Sequence, residues 1–482
     1  MGSWRLVDPS AAVDPEPPCH PDLVRLRRVL VVIYWTLIFE GILRKWLLPH
    51  FQQVLFFLRD PMVLYAYFLA FRAHAWSRPS GMLVLALFFG LLGALDAFAL
   101  LLQGELTPVI ILYGWRNYFL YIPLAFLIGR VFSAKDMDRI LRWTVLLALP
   151  IAPLGVLQAI SPLSSPINKG FGEGENALEN GGVYGDILRA TGIFYSVPGH
   201  ILFIGSCIAF LLMIWTRRRA ERPLAPRWLP LVGLAALFNL FVSGSRTAFW
   251  LATIVVLGTL AAEAGAGRVG KVVRIGFAVG LLGSCAGIAT VAFFPEVVDA
   301  MVARWTMTSD INGEGGVLSK DRVANELFHF VSILDEVPVM GYGLGIAGNG
   351  ARRLGMEVPF DAEGDWDRHI VELGSVLGLC YIVYRWILVA WLGWLCWRAS
   401  LRYRSSEPMM LYVFILPTLF IGQIPGQGTV HGYCWIFVGF CLASYRCAEE
   451  KAKAGRSPFL PPHRARAPGT RPPSFPVPKW TS

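Results

Sequence analysis

Residues 241–257 read FVSGSRTAFWLATIVVL. A polar junction, Ser243–Thr247, stands here between two runs apolar enough to lie in lipid. Backbone amides cannot stay unpaired in hydrocarbon, so both runs are expected to be helices with a tight turn between them at a membrane boundary. An arginine held at such a boundary is costly without an anionic partner. Arg246 is therefore a functional candidate from the outset.

The same logic extends along the chain. Of its 482 residues, 55% are hydrophobic and 16% charged, with a mean hydropathy of +0.53. That is the composition of a polytopic membrane protein and excludes an ordinary soluble enzyme. Apolar intervals at 29–48, 53–72, 82–102, 107–129, 141–160, 198–216, 229–243, 247–263, 274–294, 372–397, 409–424 and 431–447 predict an all-α bundle of about twelve transmembrane helices. The net charge of +10 does not point to nucleic acid, because Lys and Arg lie in short segments between apolar runs and not on one soluble face. The cysteines show no CxxC or metal-type spacing and read as small apolar fillers.

The basic segments LVRLRR, FRAHAWSR, KDMDRILR, TRRRAERPLAPR, GRVGKVVR, RASLRYR and KAKAGR come after every second span. They share one face, which the positive-inside rule makes cytoplasmic. Residues 1–28 are then a cytoplasmic N-terminal segment without a cleavable signal, 29–447 the transmembrane bundle, and 448–482 a disordered cytoplasmic tail rich in Pro and Arg. The opposite face receives two long loops, 161–197 and 295–371, where function is expected to concentrate. The second loop should hold an amphipathic helix with Val323, Leu327, Phe330, Val331 and Leu334 on one face, Ser319 as its cap and Pro338 as its stop.

Arg189, Arg246, Arg304, Arg322, Arg352, Arg353 and Arg368, with Arg44 and Lys45, lie on that second face against the charge rule. A guanidinium fork matches the oxygens of a phosphate group. The competing reading is that each cation snorkels or pairs locally, Arg44 with Glu40 and Arg59 with Asp60.

Three stretches resemble one family. RATGIFYSVPGHILFIG (189–205), SGSRTAFWLA (243–252) and DRVANELFHFVSILDEVPVMGYGLG (321–345) are similar, in content and order, to segments of the O-antigen ligases and Wzy-type O-antigen polymerases. The resemblance covers roughly residues 185–445 and implies glycosyl transfer on the extracytoplasmic side of a bacterial inner membrane. The donor would be a glycan on undecaprenyl diphosphate. The acceptor would be a second lipid-linked glycan in a polymerase, or a lipid core in a ligase. It implies no metal or other cofactor and no nucleic-acid partner, but membrane lipid, a chain-length regulator and a flippase as partners. Arg246, Arg322 and His369 would be catalytic, with Arg189, Arg304, Arg368 and Glu363 binding substrate.

One departure concerns the base. The family carries a His about nine positions before a Glu-Leu-Gly, whereas DWDRHIVELGSVLG (365–378) places His369 three positions before Glu372 and leaves Glu363 in the usual slot. The base is thus His369 or one of Glu363, Asp365 and Asp367. The rival from another class is a lipid flippase or carrier whose arginines hold an anionic cargo; no internal repeat of the kind many carriers show is apparent. GYGLGIAGNG (341–350) lacks the Gly-Lys-Ser/Thr ending of a phosphate loop and is expected to be a flexible turn. GQIPGQGTVHGYCW, with His431, is either a cavity lining or a plain turn.

Overall fold

The computed structural model of the protein describes residues 21–76, 79–104, 106–162, 164–168, 183–184, 187–293, 327–348, 351 and 364–454, with isolated positions from 295 to 302. Each apolar interval forms a helix. In chain order these are α1 Pro21–Ile42, α2 Pro49–Arg72, α3 Gly81–Leu102, α4 Pro108–Val131, α5 Ala134–Ile160 and α6 Val197–Thr216. They continue with α7 Trp228–Val242, α8 Arg246–Gly265, α9 Val269–Phe293, α10 Asp365–Arg402, α11 Glu407–Ile421 and α12 Gly428–Ala454. Eight of them, α2 to α6 and α8 to α10, are long and apolar enough to cross a membrane. The protein is an all-helical membrane bundle. Its described strands are a minimal antiparallel ladder of Val183–Tyr184 on Ile187–Leu188.

Local chemistry sets the helix ends. Proline stands in the first turn of α4, α6 and α11, where its missing N–H sacrifices no hydrogen bond. Ser133 and Asp136 form a reciprocal capping box at the start of α5, satisfying two otherwise orphaned amides. α1 continues into a π-helical turn at Leu43–Leu47, and α4 contains another at Arg116–Leu120. Such turns re-aim side chains, and these two carry Arg44, Lys45, Arg116 and Tyr118.

α6 is the hub of the bundle: 89% of its apolar window is buried, against 17% for α9. It packs on α5, α7, α8, α11 and α12, and α9 is left on the rim facing lipid. The basic segments converge at one end. Arg217 donates to Glu407 at 2.8 Å and to Asp138, Lys271 to the Thr216 carbonyl at 2.6 Å, and Arg268 to the Arg404 carbonyl. Arg27 reaches the Val131 carbonyl at 2.9 Å, Arg72 pairs with Asp22 at 3.1 Å, and Lys451 with Glu221 at 3.0 Å. The termini of α1 and α12 and the 189–197 and 365–372 segments follow from this alternation, the last two lying at the opposite end.

Four expectations change. α1 begins at Pro21, not at 29. α12 runs beyond 447 to Ala454, because Arg446–Glu450 at 2.7 Å and Lys453–Glu449 at 3.2 Å support the helix one turn apart in a polar setting. Arg59 pairs with Glu40 at 2.9 Å, while Asp60 receives Arg116 at 2.9 Å; adjacent helical residues diverge in direction and do not face each other. Finally, 341–348 is a buried strap and not a flexible turn. Leu344 is fully buried, and a Cβ on Gly114 would collide with the Gly345 amide.

The strap also crosses α10 where that helix is interrupted at Gly374, φ 83°. A Cβ there would collide with the Val339 carbonyl, and L-residues rarely adopt such a φ. Gly374→Ala should therefore lower stability by about 1–3 kcal/mol, read as a lower melting temperature in detergent. Gly270→Ala, on α9 with no atom near its Cβ position, should leave it unchanged or raised. Equal melting of the two variants would mean the strap does not pack at Gly374.

Candidate functional site

At the end of the bundle remote from the basic segments, residues 189–195 form a second strap that follows Arg189. Its backbone polar groups are buried and must be satisfied within the protein. The Gly192 amide donates to Gln158 Oε1 at 2.8 Å, and Gln158 Nε2 donates back to the Gly192 carbonyl at 3.1 Å. His200 Nδ1 lies 2.7 Å from the Ala190 carbonyl. Lys45 Nζ donates to Thr191 Oγ1 at 2.6 Å. The backbone of Ile193–Tyr195 runs so close over Gly41 of α1 that a Cβ there would collide with the Ile193 carbonyl. The Arg44 guanidinium sits 3.7 Å above the Tyr195 ring. Three helices, α1, α5 and α6, thus hold the strap and fix where Arg189 leaves it. Arg189 is half-buried, and burial, with no carboxylate beside it among the described residues, lowers its guanidinium below the usual value.

The Arg246 junction adjoins this strap. Ser243 bonds back to the Leu240 carbonyl at 2.7 Å, Gly244 turns the chain with φ 56°, and Arg246 opens α8, half-buried. The point where a Cβ of Gly155 would lie is 3.6 Å from Val242 and 3.7 Å from Ala190. The structure therefore brings the segments of Arg189 and Arg246 together across α5, although 57 positions separate them in the chain.

The start of α10 forms a second, more buried group. His369 Nε2 lies 2.7 Å from Arg385 Nη1, and its Nδ1 lies 3.0 Å from the Tyr118 hydroxyl. Arginine has only donors, so Nε2 accepts and the imidazole is neutral, its proton on Nδ1 toward Tyr118. Arg385 also pairs with Asp365 and donates to the Leu419 carbonyl at 2.8 Å. This differs from the expectation for His369: its side chain is fully buried and its lone pair is occupied. Asp367 instead keeps a 10% exposed carboxylate, 3.1 Å from His329, which is 40% exposed. Glu372 accepts the Ala347 amide at 3.0 Å and so anchors the 341–348 strap.

Arg368 is half-buried and lies against Gly426 in the linker between α11 and α12. Further along, Thr429 comes 3.1 Å from the Cβ position of Gly199 at the start of α6. The linker and the first turn of α12 thus bridge the Arg368 side to the start of α6. Arg304, Arg322, Arg352, Arg353 and Glu363 lie outside the described residues.

Beneath both groups runs a set of ion pairs, of which the sequence suggested Arg44 with Glu40 and the structure adds the rest. Glu40 is shared by Arg44 and Arg59, each at 2.9 Å. Asp60 takes Arg116 at 2.9 Å and the Tyr121 hydroxyl at 2.8 Å, and Arg59 also donates to the Gly428 carbonyl at 2.8 Å. His431 packs on Tyr121, ring centroids 4.7 Å apart, as part of this buried layer. Gln158 and Arg385, lone polar residues inside apolar runs, were the sequence signals for the two clusters.

No family model matches the chain, and no curated protein aligns with it. Fold and site together define a polytopic helical membrane protein with arginines gathered at one end. Removing one member of a buried ion pair leaves the other uncompensated. Asp365→Leu should cost on the order of 3–5 kcal/mol, and the double variant Asp365→Leu, Arg385→Met should recover most of it. If the single and double variants melt alike in detergent, Asp365 and Arg385 do not form a coupled pair.

Proposed function

We propose that the protein transfers a glycan from a polyprenyl-diphosphate donor to a glycan acceptor on the extracytoplasmic face of a bacterial inner membrane. The observation that carries this reading is the meeting of the Arg189 strap and the Arg246 junction, with Arg189 lacking any carboxylate among the described residues. In this reading about twelve spans cross the membrane. Both termini are cytoplasmic with the converged basic segments, and loops 161–197 and 295–371 are external. The donor is undecaprenyl-diphosphate-linked, and the acceptor is a second lipid-linked glycan, which makes the protein a polymerase of surface polysaccharide. Chain-length regulator and flippase partners belong to the same reading.

The acceptor hydroxyl oxygen forms its bond to the anomeric carbon as the bond from that carbon to the diphosphate oxygen breaks. Charge accumulates on the departing diphosphate, and Arg189, Arg246 and Arg322 stabilise it. Arg368 and Arg304 hold the donor and acceptor, with Glu363 on the acceptor side. The acceptor proton passes to Asp367. Its support over His369 is a side chain that keeps 10% exposure, against a fully buried imidazole whose lone pair already accepts from Arg385.

Arg246→Ala and Arg189→Ala should abolish transfer without loss of membrane insertion, as should Arg322→Ala. Arg246→Lys should fail too, because an ammonium lacks the bidentate grip. Full activity of Arg246→Lys, measured in membranes at equal expression with lipid-linked donor, would remove the bidentate contact. Asp367→Asn should cut transfer by a factor of about 100 or more, whereas His369→Gln should cost far less; the reverse order would return the base to His369. In a deletion strain, single-repeat lipid-linked glycan should accumulate outside the membrane. Accumulation inside would make the protein a flippase, and intact long chains that stay unattached would make it a ligase.

Orientation has its own check. Single cysteines at Gly174 and Gly315 should react with an impermeant thiol reagent in intact cells, and one at Ala220 should not. Labelling at 220 alone would invert the bundle.

A further inference from the structure

Five cationic side chains are buried among the described residues: Arg44, Lys45, Arg59, Arg116 and Arg385. Four have a carboxylate in direct contact: Glu40 for Arg44 and Arg59, Asp60 for Arg116, and Asp365 for Arg385. Lys45 is the exception. Its side chain belongs to a 4% exposed residue, and among the described residues its ammonium meets only neutral partners, Thr191 Oγ1 at 2.6 Å, the Gly192 carbonyl at 3.4 Å and the Trp46 ring, whose centroid is 5.1 Å away. A charge removed from water without a counter-charge is among the least favourable arrangements a protein can hold.

Tethering the strap does not explain that charge. A neutral donor would serve Thr191 equally well, and Gln158 already supplies one to the Gly192 carbonyl. What the tether does accomplish is placement. It ties the ammonium to the strap two residues from Arg189, the half-buried cation that likewise has no carboxylate beside it among the described residues. Two cations without a carboxylate partner among the described residues therefore share one rigid strap, one held to it from α1 through the Thr191 hydroxyl and one from the strap itself.

We propose that Lys45 is a binding residue for the anionic head of the substrate, acting beside Arg189, and that the ligand is a membrane-borne diphosphate ester. The end of α1 then belongs to the same anion site as the 189 strap. The point charge of the ammonium serves one phosphate and the guanidinium fork the other. This rests on the lipid-diphosphate reading above and adds to it a residue outside the stretches that resembled the family.

The test uses the full chain, purified in detergent, with farnesyl diphosphate as the probe in calorimetric titration. The wild type should bind it. Lys45→Met should weaken binding about tenfold or more, and Lys45→Gln, which keeps a donor for Thr191, should do the same at unchanged melting temperature. Thr191→Val removes the tether but keeps the ammonium, and it should stay within about threefold of wild type. Uncharged farnesol should not distinguish Lys45→Met from wild type. Wild-type binding with undiminished affinity in Lys45→Met and Lys45→Gln would overturn the role of Lys45 alone, and Thr191→Val failing as badly as Lys45→Met would reduce Lys45 to a tether. Equal displacement by inorganic diphosphate would overturn the lipid-borne source. No binding by the wild type would overturn the lipid-diphosphate reading itself and this proposal with it.

Discussion

A polar group at membrane depth has to find its hydrogen-bond partner inside the protein, because hydrocarbon offers none. That constraint organises this molecule. Gly192 surrenders its amide and carbonyl to Gln158, and the Ala190 carbonyl is met by His200. The strap between α5 and α6 can lie in the bundle only because these side chains wait for it on neighbouring helices. The Ala347 amide of the other strap depends on Glu372 in the same way.

The same constraint explains why the site's cations stand where they do. α1 and α4 each leave regular geometry for a π-helical turn at the depth of the ion pairs, and those turns carry Arg44, Lys45, Arg116 and Tyr118. Glu40 and Asp60 answer three of the arginines. With those charges balanced, the buried cation left without a carboxylate among the described residues, Lys45, is tied to the 189 strap, and the frame of helices around it holds it away from water. A preorganised positive site of this kind gains strength from the low dielectric that makes it expensive.

Close backbone approach is the second requirement. Gly41 admits the Ile193–Tyr195 backbone onto α1, and Gly374 lets the 338–341 backbone cross an interrupted α10. Both straps thus enter the helical layer as packed elements, and α6, the most buried span, supplies the wall on which the first of them rests. The linker between α11 and α12 touches Arg368, and Thr429 in the first turn of α12 touches the start of α6, which joins the two halves of the site.

The helices were legible in the amino-acid order because hydrophobic run length reports directly on the need to stay in lipid, and the basic segments because charge avoids it. Every apolar interval became a helix, and the basic segments gathered at one end. Arg246 and Arg189 were recognisable for the same reason: a cation beside an apolar run is conspicuous. Their proximity was not, since it depends on α7 packing against α5 at Gly155. Nor was the partner of Arg59, which pairs 19 positions away with Glu40 and not with the adjacent Asp60. His369 looked available in the sequence, yet Arg385 from about three turns beyond the Gly374 interruption and Tyr118 from α4 enclose it. Lys45 looked like an ordinary interfacial lysine until its neighbours could be counted. Run length and charge alternation are properties of the chain itself, so the sequence by itself determined the all-helical bundle and its two ends. Which charges are neutralised depends on contacts between helices distant in the chain, and only the tertiary structure decided that.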